Sequence, residues 1–319
     1  MKRTRTSPFL RTPASTRSIM RDVLIALMPV SVMAVVQFGI KSLVMILLGI
    51  TSAVLFEFLY QRLMGKKSTI VDLSAAVTGL LVALSYPVTA PLWIIVLGSF
   101  IAIVVIKQLS GGIGKNHLNP AVFSRVLIKI LFTPFITRWV LPGPDLVSTA
   151  TPLEFIGNGQ TAIAQGAPEM QALFFGAIGG GIGETVKWAI ILGALYLVFR
   201  RVISLKIPLA TLAGLFFMGM LFGKSSLEFA TYHVLSGTAM FAAVFMVTDY
   251  SSGPLNHRAR VYYGLSIGIL TGMIRYLFAL PGGIGVAILL MNILAPIYDA
   301  WFTPRVFGHK GKRVVIETR

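Results

Sequence analysis

The sequence has 319 residues, of which 55% are hydrophobic and only 12% charged, with a mean hydropathy of +0.82. A soluble domain carries about 25% charged residues, so this chain lacks the polar surface a water-soluble fold needs and has the composition of a polytopic membrane protein. The formal charge of +17 does not indicate nucleic-acid binding, because the basic residues fall in short clusters between apolar runs, and the absence of cysteine excludes disulfides, thiolate metal sites and cysteine-ligated iron–sulfur clusters.

Residues 1–21 form a basic arm with no short apolar core and cleavage site, which reads as a retained cytoplasmic segment rather than a signal peptide. A helix needs about 20 apolar residues to cross the hydrocarbon core. Ten stretches approach that requirement, at about 22–39, 42–60, 70–86, 91–107, 120–140, 172–199, 207–223, 231–248, 261–280 and 284–302. Several are short or interrupted by glycine and proline. Basic residues follow the even-numbered spans: Arg62, Lys66 and Lys67; Lys107 and Lys115; Arg200, Arg201 and Lys206; Arg258 and Arg260. More lie in the arm and in a basic tail, 304–319. The opposite loops hold only Lys41 and Lys224. The positive-inside rule then places both termini in the cytoplasm. The membrane domain, 22–303, divides into a first half (about 22–141), an outer loop (142–171) carrying Asp145, Glu154 and Glu169, and a second half (about 172–303).

Two stretches are weakly alike, LSAAVTGLLVALSYP (73–87) and LSGTAMFAAVFMVTD (235–249). They begin the third and eighth spans, five apart, and so run in opposite directions. The expected fold is therefore an all-α bundle of about ten transmembrane helices, arranged as a five-plus-five inverted repeat with broken helices. Such repeats place binding sites near the midplane, at the breaks.

Polar motifs interrupt this scaffold at three places. In SGGIGKNHLNPAVFSR (110–125), glycines allow close backbone approach to a ligand. Asn116 and Asn119 offer amide edges suited to a planar heterocycle, and Pro120 can open the next helix. The same run also reads as a re-entrant turn with asparagine caps. In GAIGGGIGETVKW (176–188), a helix starting near Glu184 would aim free N–H groups at an anion; close helix packing through small residues explains the run equally well. No strand precedes it, so it is not a dinucleotide fingerprint. DLVSTATP (145–152) gathers a carboxylate and three hydroxyls in the outer loop, a composition that by itself suits a cap or turn.

Charged residues inside spans cost roughly 3 kcal/mol each on insertion scales. Glu57, Arg125, Lys129, Glu184, Lys187, Asp249, Arg275 and Asp299 qualify. Most are expected to be structural, with Asp249 and Arg275 the better candidates for a polar cavity. His117, His233, His257 and His309 are scattered without metal-ligand spacing, so no metal site is expected.

The motifs GGIGKNHLNPA, DLVSTATPL, GGGIGET and FMVTDYSSGP, in this order, resemble a family of two related subunits. One is the D subunit of the Rnf complex, an ion-translocating ferredoxin:NAD oxidoreductase. The other is the B subunit of the sodium-translocating NADH:quinone oxidoreductase. The resemblance runs from about residue 20 to residue 303, and the length is closer to the Rnf subunit. It implies a urea-transporter-type scaffold in a bacterial or archaeal cytoplasmic membrane. It also implies covalent attachment of flavin mononucleotide (FMN), through a phosphoester, to a threonine in a pattern close to Asp-x-x-Ser/Thr-Gly-Ala-Thr. Asp145, Ser148, Ala150 and the acceptor Thr151 match that pattern, whereas Thr149 stands where glycine is usual and is a second hydroxyl. The phosphate would need donors, and the run ending in Gly183 and Glu184 could supply them. A second, non-covalent flavin, riboflavin in the quinone-reducing relative, is implied near Asn116 and Asn119.

The function expected from the resemblance is electron carriage within an ion-translocating complex. Expected partners are the other subunits, including a flavin-bearing one on the outer face, and a flavin transferase for maturation. The chain shows no nicotinamide site and is not expected to be a complete enzyme. The alternatives are a channel or transporter for a small polar solute, and a structural subunit without cofactor.

Overall fold

The computed structural model describes residues 15–143, 147–156, 163, 166–278 and 282–303. Its helices are α1 (Thr16–Phe38), α2 (Ile40–Leu63), α3 (Ser74–Leu84), α4 (Leu92–Phe100), α5 (Pro120–Leu131), α6 (Thr133–Ile136), α7 (Met170–Phe175), α8 (Lys187–Phe199), α9 (Lys206–Phe222), α10 (Leu227–Leu235), α11 (Ala239–Phe245), α12 (His257–Leu277) and α13 (Ile284–Trp301). A π-helical stretch, Ile101–Gln108, continues α4. No strand occurs among the described residues; Val140 and Ser148 form an isolated antiparallel bridge. Three helices, α1, α2 and α13, are long and apolar enough to cross a membrane.

The boundaries depart from the sequence expectation where local chemistry overrides hydropathy. The first helix starts at Thr16, inside the expected basic arm, because Ser15 and Ser18 cap it reciprocally through backbone N–H to side-chain bonds of 3.0 and 3.2 Å. The third stretch is helical only from Ser74, after a 3-10 turn over Ile70–Asp72, and Asp72 Oδ1 accepts from the Ser74 N–H at 2.7 Å. The fifth is interrupted at Phe132, where Pro134 opens the short α6. The sixth splits into α7 and α8, with Gly176 at φ 91°, and the eighth into α10 and α11, with Gly237 at φ 64°. Both φ values lie in the left-handed region that glycine adopts without a Cβ clash.

Broken helices leave carbonyl and N–H groups that a bilayer cannot satisfy. Here the protein satisfies them itself, for one break across the sequence midpoint and for the other from within the second half. Ile182 N–H donates to Tyr86 O at 3.0 Å and Gly183 N–H to Leu84 O at 2.9 Å, joining the α7–α8 break to the end of α3. At the α10–α11 break, Arg275 Nη1 donates to His233 O at 2.6 Å and Nη2 to Ser236 O at 3.3 Å, while Lys187 Nζ donates to Gly237 O at 3.4 Å.

Packing follows a matching plan before and after residue 142. In the first part, α2 packs on α3 and α4, α1 on α3, and α4 with its π-helical extension on α5. In the second, α9 packs on α10 and α12, α8 on α11, and α12 on α13. The parts join through α1 against α8 and α5 against α13. Glycines set the tightest crossings. A Cβ on Gly79 would lie 2.2 Å from Gly49 O, and one on Gly268 would lie 2.0 Å from Thr211 O, so the backbones meet with no room for a side chain.

Gly79→Leu and Gly268→Leu are therefore expected to destabilise by about 1–3 kcal/mol or more each, read as earlier thermal unfolding in detergent. Leu47→Ala, on an exposed face of α2, is expected to stay within about 0.5 kcal/mol. Equal unfolding temperatures for all three would contradict the crossings.

Candidate functional site

Two polar regions stand out, and different parts of the chain build them. The first is a cleft with about 750 Å³ of empty space when the open solvent at its mouth is included. Ser74, Lys107, Asn116 and Asn119 line it from the first part of the chain, and Thr248 and Asp249 from the second. Apolar side chains, including Val77, Leu81 and Phe245, fill the wall between them.

Asn116 and Asn119 are brought to the same cleft but have different duties. Asn119 is the N-cap of α5, with Oδ1 accepting from Val122 N–H at 3.1 Å, and its Nδ2 donates to Met246 O at 3.1 Å. Pro120 at the next position has no N–H to leave unpaired. Asn119 thus ties α5 to the turn after α11. The Asn116 side chain is also buried, yet its Oδ1 has no partner. A buried unpaired acceptor on a cleft wall carries a desolvation cost that a ligand donor would remove. On the opposite wall, Asp249 accepts from Ser251 Oγ at 2.9 Å and Ser252 Oγ at 2.9 Å.

Lys107 was legible in the sequence only as an orientation marker. In the fold it is 3% exposed and ion-paired to the fully buried Glu57 at 2.8 Å. Gln61, Thr69 and Gln108 also donate to Glu57 Oε1, at 3.2, 3.0 and 2.8 Å. The one sequence signal was Glu57 itself, a carboxylate in the second apolar stretch.

The second region is the loop around Thr151. Thr149 N–H donates to Trp139 O at 3.1 Å and Leu141 N–H to Val147 O at 2.8 Å, so residues 139–141 and 147–149 pair antiparallel. Asp145 lies outside the described residues. Ser148 is exposed and Ala150 half-buried. Thr151 is 8% exposed; it precedes a 3-10 turn, Pro152–Phe155, and its Oγ1 donates to Glu154 Oε1 at 3.4 Å. The residues flanking it sit on the two helix breaks. The Thr149 methyl occupies the place of a Cβ on Gly179, at 2.4 Å, and Leu153 Cδ1 that of one on Gly237, at 2.5 Å.

Beneath this loop, α8 begins at Lys187, three residues later than the sequence suggested. The intervening turn uses its own N–H groups. Gly181 N–H donates to Glu184 Oε1 at 3.0 Å and Glu184 N–H to Gly181 O at 3.0 Å, while Ile182 and Gly183 bond the end of α3. The Glu184 carboxylate pairs with Arg125 at 3.2 Å, and Lys187 Nζ also donates to Glu184 O. Arg275, Lys187, Arg125 and Glu184 thus act on one another or on broken-helix carbonyls. Asp299 caps the Leu255 and Asn256 N–H groups at 2.9 and 3.0 Å. Of the two charged residues expected to face a polar cavity, Asp249 lines the cleft and Arg275 does not.

Asn119→Ala is expected to cost about 1 kcal/mol for the lost cap, plus about 1–3 kcal/mol for the unpaired Met246 carbonyl. Asn116→Ala removes an unpaired group and is expected to be neutral or slightly stabilising. Thermal unfolding of the two purified variants checks this, and an equal loss in both would contradict the division of duties.

The NQR2, RnfD, RnfE family model matches residues 3–308. The sequence is 36% identical to the D subunit of the Na(+)-translocating ferredoxin:NAD(+) oxidoreductase complex of Acetobacterium woodii, over 95% of this chain and 94% of that protein. It is 34% identical to the D subunit of the proton-translocating ferredoxin:NAD(+) oxidoreductase complex of Clostridium ljungdahlii, over 95% of each. It is also 34% identical to the D subunit of the ion-translocating oxidoreductase complex of Escherichia coli O6:H1, over 95% of this chain and 97% of that protein. With a helical, strand-free fold among its described residues and a match along nearly its whole length, the chain belongs to the NQR2, RnfD, RnfE family of membrane proteins, as a relative of the D subunits of ion-translocating oxidoreductase complexes.

Proposed function

We propose that this chain is an electron-carrying membrane subunit of an ion-translocating ferredoxin:NAD oxidoreductase complex, holding FMN covalently on Thr151 and a second, non-covalent flavin in the cleft. Flavins supply reversible electron transfer when bound; the chain supplies placement, burial and electrostatics. The observation that carries the reading is the setting of Thr151. It is a buried hydroxyl between Thr149 and Leu153, whose side chains seat on the two helix breaks. An ester there has a fixed position against the core, while exposed Ser148 leaves one side of the loop reachable by a flavin transferase. Asp145, Ser148 and Ala150 form the transferase recognition pattern. Gly183 and Glu184 shape the floor beneath it rather than donating free N–H groups.

Polar side chains beside an apolar wall support a planar heterocycle with a polar edge as the cleft's occupant. Asn116 offers the unpaired acceptor, and Asn119 fixes the wall by joining α5 to the α11 turn. The matching packing plan supports a five-plus-five inverted repeat of about ten spans. The basic clusters then lie in the cytoplasm and the Thr151 loop faces outside, toward a flavin-bearing partner protein of the complex. Electrons enter at the loop and pass to the cleft.

Co-expressed with the flavin transferase, the chain is expected to give a denatured gel band that fluoresces under ultraviolet light. Thr151→Val is expected to abolish it and Thr149→Val to retain it. A dark wild-type band favours the solute-channel reading, and fluorescence surviving Thr151→Val removes Thr151 as the acceptor.

A further inference from the structure

The cleft wall contributed by the first part of the chain carries a buried cation whose counter-ion stands behind it. Lys107 and Ser74 line the cleft; Glu57 does not. Lys107 Nζ donates to both Glu57 oxygens, at 2.9 and 2.8 Å, and to Ser74 Oγ at 2.6 Å. Gln61, Thr69 and Gln108 also donate to Oε1, so four side chains hold the carboxylate in place. The pair is thus fixed, with Lys107 rather than Glu57 as its member on the cleft side. Lys107 lies in the last turn of the π-helical stretch Ile101–Gln108, and such wide turns are frequent at functional sites. A pair needed only for packing gains little over apolar residues of similar volume and has no reason to face a cavity. Across the cleft, Asp249 holds the opposite sign on the second wall.

We propose that Lys107 is the fixed charge that stabilises the cleft's occupant when it becomes negative on reduction, and that Glu57 is the positioning residue that holds Lys107 in place. The inference rests on the reading of the cleft as a flavin site. Two electrons and one proton added to a neutral isoalloxazine leave one negative charge on the ring. In the test below the electrons come from dithionite and the proton from water. Inside a protein, where screening is weak, a cation on the wall favours that charge. Lys107 then orients the ring with its carbonyl-bearing, charge-accepting edge toward the first wall, away from Asp249.

The experiment is a spectroelectrochemical titration of the purified complex, after acid extraction has measured the cleft flavin separately from the flavin held on Thr151. Lys107→Met is expected to disfavour the reduced cleft flavin about tenfold, a fall of about 30 mV in a two-electron potential. Glu57→Gln, which leaves the cation without its counter-charge, is expected to raise the potential, and Lys107→Arg to leave it near the wild type. The Thr151 flavin serves as the internal reference and is expected not to move. If Lys107→Met fails to accumulate, the double variant Glu57→Gln with Lys107→Met buries no charge, and its potential is expected to lie below that of Glu57→Gln alone. A cleft flavin retained at unchanged potential without Lys107, or shifted in the same direction by Lys107→Met and Glu57→Gln, overturns the proposal. A wild-type complex with flavin on Thr151 and none extractable removes the cleft reading itself, and the inference with it.

Discussion

The rest of this structure depends on the need to satisfy backbone polar groups where helices break in an apolar surrounding. A bilayer offers no hydrogen bonds, so each interruption must find its partners inside the protein. The two main breaks do so in different ways. The glycine-rich turn between α7 and α8 gives its N–H groups to the carbonyls of Leu84 and Tyr86. The break between α10 and α11 presents carbonyls at its helix end, and Arg275 and Lys187 supply the donors. Cations at a helix C-terminus also complement the helix dipole. These buried charges are therefore explained as structure before any functional role is considered.

Satisfying the breaks also fixes where chemistry can occur. The Thr151 loop is held because Thr149 and Leu153 fit the spaces left by Gly179 and Gly237. Thr151 is placed between them without making strong contacts of its own. Its side-chain hydrogen bond to Glu154, at 3.4 Å, is long and easily given up. The cleft arises where the Asn116–Pro120 turn meets the turn after α11, and Asn119 spans the two. One scaffold rule thus yields a loop seated against the core and, separately, a walled cleft. The carrier proposed above draws on that geometry, because precise placement comes from packed elements rather than from loose loops.

Much of this was legible in the sequence, for identifiable reasons. Composition alone defined the helical membrane class, and every apolar stretch contains helix. Gly, Pro, Ser and Asn at the breaks marked where the periodicity would fail, and the pattern around Asn119-Pro120 announced a helix start that the fold contains. The partners of the charges were not legible. Arg125 and Glu184 pair across 59 positions, and Glu57 and Lys107 across 50, separations at which one sequence holds no pairing information. Lys107 was masked by its nearness to the basic clusters, where orientation already gave it a purpose. The use of the Gly181–Glu184 N–H groups was hidden as well, because a glycine-rich turn looks the same whether it awaits an anion or bonds a neighbouring helix end. Glycines 179 and 237 gave no sign that they would receive Thr149 and Leu153.

The most direct test of the central claim, that the Thr151 loop is a tethering point for a flavin, is peptide-level mass spectrometry of the chain isolated from native membranes. The predicted result is a peptide containing residue 151 that carries the added mass of one flavin nucleotide ester, with fragment ions placing it on that threonine. Native, fully matured chain in which that peptide is found only at its unmodified mass would contradict the claim.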